Sequence, residues 1–275
     1  MRILGINGLN HDAAVCVIED GEILFGAHSE RYSGVKNDYN LNDAIMEEAL
    51  SYGKPDKVAW FERPYLKKVR QLYAGQYDEV FTTQNTPRQY LKKFDIHQDI
   101  QYVQHHLSHA SAGYFSSPFD DACVVVLDAI GEFECATIWY VKDGKFEKRW
   151  SQTYPNSLGL WYSAMTQRLD LKPQEDEYIL MGMAGWGEKN KELKQEIHES
   201  FFNVNSALPI QSKLNLHRGC RWWDSKLYPD DGSDKWKFDI AANTQWVCET
   251  EIEKVFELAK RLVPETDNCV YMGGV

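Results

Sequence analysis

The stretch Ala122-Cys-Val-Val-Val-Leu127, Asp128 to Glu134, Ala136-Thr-Ile-Trp-Tyr-Val141, Asp143-Gly144 and Phe146-Glu-Lys-Arg-Trp150 decides how the chain is organised. Its first run is apolar and β-branched, which predicts a buried strand with Asp128 standing where that strand would end. Asp-Gly between apolar or alternating runs predicts a hairpin. The same plan opens the chain: strand Arg2-Ile-Leu-Gly-Ile-Asn7, loop Gly8-Leu-Asn-His-Asp12, strand Ala13-Ala-Val-Cys-Val-Ile18, turn Asp20-Gly21 and strand Ile23-Leu-Phe-Gly-Ala27. Aligned without gaps, Gly8 meets Gly131, Ala13 meets Ala136, Asp20 meets Asp143 and Gly21 meets Gly144, each pair 123 positions apart (143 − 20). The repetition predicts an internal duplication.

Working outward, Leu41 to Tyr52 reads as a helix, Lys57 to Phe61 as a strand, Pro64 to Tyr73 as a helix with Pro in its first turn, and Pro87 to Phe94 as a short helix. Beyond the second meander, helices are predicted over Ser157–Thr166, Asp176–Ala184 and Phe238–Leu262, and a strand from Asn268 runs into Gly273-Gly274. Residues 186–236 read as an insertion, irregular from about 203. Its Arg218-Gly-Cys-Arg-Trp-Trp-Asp224 could clamp a polyhydroxylated substrate or simply pack on the surface. Two meanders, each with a glycine-containing loop after its first strand, suit a two-lobed nucleotide-binding architecture, since glycine lets backbone N–H groups approach phosphate closely.

A chain of 275 residues with 43% hydrophobic content can bury a sizeable core. Its formal net charge of −11 argues against nucleic acid or an anionic membrane as the main partner and favours a small-molecule substrate. Six cysteines without a CxxC, and a first strand that starts at Arg2 with no leader pattern before it, predict reduced thiols and a cytoplasmic setting.

The chemistry gathers at His105-His-Leu-Ser-His109. If a helix begins near His105, His105 and His109 lie one turn apart on one face, where two imidazoles can share a metal ion, and Asp128 supplies a carboxylate. The competing reading is that the histidines cap or pad a helix and Asp128 begins a turn.

Taken in order, Gly8-Leu-Asn-His-Asp-Ala-Ala14, Glu30-Arg-Tyr-Ser33 with Lys36, His105 to Ala110, Ser117-Pro-Phe119, Asp128 to Glu132, Glu177 to Ala184, Asp239-Ile-Ala-Ala242 with Gln245, and Met272-Gly-Gly-Val275 resemble the nodulation-factor and antibiotic O-carbamoyltransferases. The resemblance implies an α/β, actin-like ATPase (ribonuclease H-like) duplicated fold. A first lobe over residues 1–118 would include the metal-binding helix, and a second, incomplete lobe would span 119–275. It implies transfer of a carbamoyl group from carbamoyl-adenylate, made from carbamoyl phosphate and ATP, to a hydroxyl of a small, sugar-like acceptor. By the same likeness Fe(2+), or Zn(2+), would be held by His105, His109 and Asp128. His11 matches the general base, Lys36 a contact to the carbamoyl-adenylate, and Gly8, Gly131, Gly159, Gly273 and Gly274 the nucleotide-contacting loops. A neutral imidazole can take a hydroxyl proton near physiological pH, while a metal and a lysine stabilise charge on phosphate and carbamoyl oxygen.

Two departures stand out. The family usually carries Lys where this chain has Ile179, and Pro-Tyr where it has Gly185-Trp186. It also continues past the Gly-Gly-Val turn into an adenine loop, a second metal-binding Asp and an adenylate-forming domain, so the chain is expected to be truncated and to need that domain or a partner chain in trans. Two alternatives share these residues: a catalytically incomplete metal- or nucleotide-binding module, and a tRNA threonylcarbamoyltransferase-like protein, against which the net charge weighs.

Overall fold

The computed structural model describes residues 1–9, 12–80 and 86–275, the side chains of residues 78 and 79 excepted. Contact density divides the chain into two units, Met1–Ser108 and His109–Val275.

In the first unit β1 (Arg2–Asn7), β2 (Ala14–Glu19) and β3 (Glu22–His28) form the meander. After it come α1 (Glu30–Ser33), α2 (Asp43–Ser51), β4 (Lys57–Trp60), α3 (Pro64–Tyr73), α4 (Tyr77–Val80), α5 (Pro87–Leu91) and β5 (Ile100–Tyr102). The sheet order is β3-β2-β1-β4-β5; the meander is antiparallel, and β4 and β5 join β1 in parallel. Successive side chains on a strand point to opposite faces, so alternate residues Leu4, Ile6, Val15 and Val17 enter a core closed by Ile45 and Met46 of α2, Val58 and Trp60 of β4, and Leu91 of α5. Helix α2 starts where the Asn42 side chain accepts from the Ile45 amide at 3.1 Å, satisfying one of the amides a helix start leaves without a partner.

Helix α6 (His105–Ser116) spans the division with its first turn. It leads into β6 (Asp121–Gly131), β7 (Glu134–Lys142), β8 (Lys145–Thr153), α7 (Leu158–Arg168), α8 (Glu177–Ala184), α9 (Lys191–Phe201), α10 (Asp234–Leu262) and β9 (Cys269–Met272). The second sheet, β8-β7-β6-β9, repeats β3-β2-β1-β4 with the same strand senses. This mixed α/β architecture repeats one strand order in both units, as the internal duplication predicts. Val125, Leu127 and Ile138 pack under Trp161 and Met165 of α7, Leu180 of α8, Ile197 and Phe201 of α9, and Ile240, Val247 and Val255 of α10.

Both predicted hairpins form. Asp20 and Gly21 have φ of 50° and 95°, Asp143 and Gly144 have 49° and 70°, and positive φ at both central residues defines the two-residue turn whose twist matches its strands. The two turns close equivalent pairs, Glu19 with Glu22 and Lys142 with Lys145. The gapless 123-residue alignment stops there, however. Asn7 pairs with Ala14, and the corresponding pair in the second sheet is Val126 with Thr137. The second strand of each meander is offset by 123 (137 − 14), but the first by 119 (126 − 7). By strand register, therefore, Gly8 is the equivalent of Leu127 rather than of Gly131, and the second loop is four residues longer (123 − 119).

Three further differences from the sequence expectation have local causes. Strand β6 runs on to Gly131 instead of ending at Asp128, although its pairing with β7 shifts between Leu127 and Gly131. Helix α10 begins at Asp234 rather than Phe238, because the Ser233 side chain caps it by accepting from the Trp236 amide at 3.1 Å. Helix α9 was not anticipated: Asn190 caps it through the Glu192 and Leu193 amides, and Leu193, Ile197 and Phe201 recur every four residues on its buried face. Among the described residues no helix is long and apolar enough to cross a membrane.

Candidate metal centre

On α6, His105, His109 and Gly113 follow one another at four-residue intervals and so share a face. A Cβ at Gly113 would fall 2.4 Å from Met272 Cγ and 2.8 Å from Val270 Cγ1, so the helix rests on β9 as closely as a backbone can. Met272 pairs with Val126 of β6, and Asp128 lies two residues further along that strand. The result is a His109 Nε2 to Asp128 Oδ2 separation of 3.7 Å. His105, 8% exposed, meets Phe61 edge-on with ring centroids 5.5 Å apart, and the neighbouring Ser108 hydroxyl donates to the Phe61 carbonyl at 2.9 Å. His106 points elsewhere and is fully buried.

Asp128 sits where the β6–β7 ladder lapses, and its Oδ1 accepts from the Ala129 amide at 2.8 Å while Oδ2 faces His109. The Ser157 hydroxyl donates to the Ala129 carbonyl at 2.5 Å and accepts from the Leu160 amide at 3.0 Å, tying the excursion to the start of α7. Gly273, with φ of 111°, turns the chain so tightly over the Leu127 carbonyl that no side chain would fit, and the next residue, Gly274, stands beside Asp128 Oδ1.

Ligand atoms of His105, His109 and Asp128 all lie within 4.8 Å of one another, and no other group of His, Cys, Asp and Glu does so among the described residues. Two imidazoles and a carboxylate on one small volume are a donor set suited to Fe(2+) or Zn(2+), with positions left over for substrate.

The other predicted site residues separate into two groups. Gly131, Gly159, Gly273 and Gly274 belong to the second unit with Asp128; a Cβ on Gly159 would meet the Ala129 backbone at 2.7 Å, so packing alone accounts for a glycine there. Gly8 and Lys36 belong to the first unit, Gly8 against the Trp60 and Tyr90 rings and Lys36 in an exposed turn after α1. His11 lies outside the described residues. The sequence marks Ser157 as a helix cap, and the structure bears that out, but it does not mark Gly113 as a docking position; the four-residue spacing from His109 to Gly113 is the available signal.

The family model described as carbamoyltransferase N-terminus matches residues 2–275. The chain belongs to that family. Carbamoyltransferase N-terminus relatives include an uncharacterized protein of Synechocystis, 26% identical over 100% of this chain and 50% of its own length. The nodulation protein NolNO of Sinorhizobium fredii is 25% identical over 72% of this chain and 31% of its own. The chain thus spans about half the length, or less, of the curated relatives it matches. Among solved structures, the Ppx/GppA enzyme of Aquifex aeolicus aligns over 100% of this chain and 95% of its own with 13% identity and a TM-score of 0.36, too slight a likeness to argue from. Ile179 is half-buried in α8 and Trp186 is 81% exposed.

Proposed function

We propose that this chain carries the transfer half of an O-carbamoyltransferase: it receives carbamoyl-adenylate, formed from carbamoyl phosphate and ATP, and passes the carbamoyl group to a hydroxyl of a small, sugar-like acceptor. The observation behind this reading is the His105, His109 and Asp128 cluster, in a chain matched from residue 2 to 275 by a carbamoyltransferase family model. A cation held by these three side chains would supply positive charge for the phosphate and carbamoyl oxygens. The chain's own residues do the remaining work in this reading. Helix α6 presents both imidazoles from one rigid face, and the Ala129 amide holds the Asp128 carboxylate in orientation. Backbone N–H groups near Gly273 and Gly274 approach the nucleotide phosphate, Lys36 binds the carbamoyl-adenylate, and His11 takes the proton of the attacking hydroxyl. Formation of the adenylate is assigned to protein beyond this chain, as a further domain or a partner in trans.

The net charge of −11 favours a small acceptor over tRNA. Elemental analysis of the purified chain is expected to find about one iron or zinc per chain, falling to background when His105 and His109 are both changed to Ala while the circular-dichroism spectrum is kept. Unchanged metal content would remove these ligands from the proposal. Carbamoyl transfer from pre-formed carbamoyl-adenylate, assayed with polyhydroxylated acceptors and with tRNA, then separates the proposed activity from the threonylcarbamoyltransferase reading.

A further inference from the structure

Cys123 of β6 and Cys269 of β9 stand directly opposite each other in the parallel ladder, so their side chains leave the same face of the sheet. Neighbouring strands run about 4.8 Å apart. That separation falls within the range, roughly 4.4–6.8 Å between Cα atoms, that a disulfide spans. Their surroundings are unequal. Cys123 is 6% exposed, within the cluster that includes Val125 and Leu127, whereas Cys269 is open to solvent.

From this pairing we infer that Cys123 and Cys269 form a redox-active dithiol, with Cys269 the sulfur that reacts first with a small disulfide oxidant and Cys123 the one that resolves it into an intramolecular disulfide. The electrostatics of the pair agree with these roles. The neighbouring Cys269 and burial push the Cys123 thiol up, and Cys123 in turn holds the Cys269 thiol below the usual range. The thiolate, the form that attacks disulfides, is therefore reached first at Cys269. Burial pushes Cys220 and Cys248 up to about 12 and raises Cys16 as well, and none of these three stands opposite a second cysteine in a strand ladder.

The chemistry balances with an oxidised low-molecular-weight thiol such as glutathione disulfide. The Cys269 thiolate attacks one of its sulfurs, the S–S bond breaks, and one small thiolate leaves and takes up a proton. Cys123, held beside it by the strand pairing, then attacks the Cys269 sulfur, and its proton passes to the departing small thiolate, which leaves as the second small thiol. Two protein thiols are oxidised by two electrons, and one disulfide is reduced to two thiols. The new bond would pin β9, a four-residue strand paired with β6, at the end opposite its Gly273-Gly274 turn.

The test uses the whole chain equilibrated with glutathione buffers of increasing oxidised fraction, then denatured in an alkylating agent. Free thiols are expected to fall from six to four, with peptide mapping linking residue 123 to residue 269. Cys123→Ser is expected to stop at a stable mixed disulfide of Cys269 with glutathione, and Cys269→Ser to keep all five of its thiols. Hydrogen exchange adds a second reading: amides of Cys269–Met272 should slow in the oxidised chain while those of β8 do not change. Six free thiols at every ratio, a link between other cysteines, or equal reactivity of both single variants would each overturn the inference.

Discussion

The loop after β1 and the loop after β6 start from the same plan and diverge by four residues. In the first sheet, six residues, 8–13, join the paired positions Asn7 and Ala14; in the second, ten residues, 127–136, join Val126 and Thr137. The extra length lets β6 leave its ladder after Leu127 and project Asp128 toward the helix that carries His109, before pairing resumes at Gly131 with Glu134. Duplication supplied the frame twice, and the candidate ligand arises where the copies differ. This is physically sensible, because a side chain inside a continuous ladder is committed to one of two faces, while one at a bulge can be re-aimed.

The largest expected effect that would sharpen this comparison is on the second unit's response to acid. Burial would raise Glu251, but hydrogen bonds from His198, Lys254 and the Ile210 amide override it and hold the carboxylate at about 2. A folded-state pKa below the unfolded value means stability that is present above about 4.5 and is lost as pH falls toward 2. The loss is on the order of 3 kcal/mol. Hydrogen exchange at α10 should accelerate over that window, and Glu251→Gln should flatten the pH dependence; a wild-type profile with no slope between pH 4.5 and 2 would contradict it.

Next comes the excursion itself. Asp128→Ala is expected to weaken metal binding by about 100-fold, measured by competition with a chelator, while leaving the fold intact. Gly113→Val tests the docking that brings α6 to the strand. Overpacking against Val270 and Met272 should cost about 2 kcal/mol in denaturant melts and lower metal affinity as well. A destabilised variant with undiminished metal affinity would separate helix docking from the site.

The smallest effect probes where the two copies agree. Gly21→Ala and Gly144→Ala each place a Cβ at positive φ, and each should destabilise by about 1 kcal/mol. Comparable losses in thermal melts would support equivalent turns. A difference well above that figure would show that one turn is held by its surroundings, Phe115 near Gly144 being the candidate.

How far the sequence could be read follows from the range of the interactions involved. The strand runs, both Asp-Gly turns and the α6 start at His105 were legible because each depends on neighbours within a few residues: apolar alternation, turn residues, and the four-residue helical spacing. Helix α9 was equally local, with Asn190 as cap and Leu193, Ile197 and Phe201 in phase, but its charged residues masked the pattern. The gapless alignment could not show that β6 is offset by 119 rather than 123, since hydrogen-bond register is chosen between strands and leaves no mark within either.

By itself, then, the sequence determined the type and order of the elements and placed two imidazoles one turn apart, because those properties are decided by short-range backbone and side-chain preferences. Only the tertiary structure decided that Gly113 seats α6 on β9, that the longer second loop turns Asp128 toward His109, and that Cys123 faces Cys269. Each of these is a meeting of residues distant in the chain, selected by packing and register over the whole sheet.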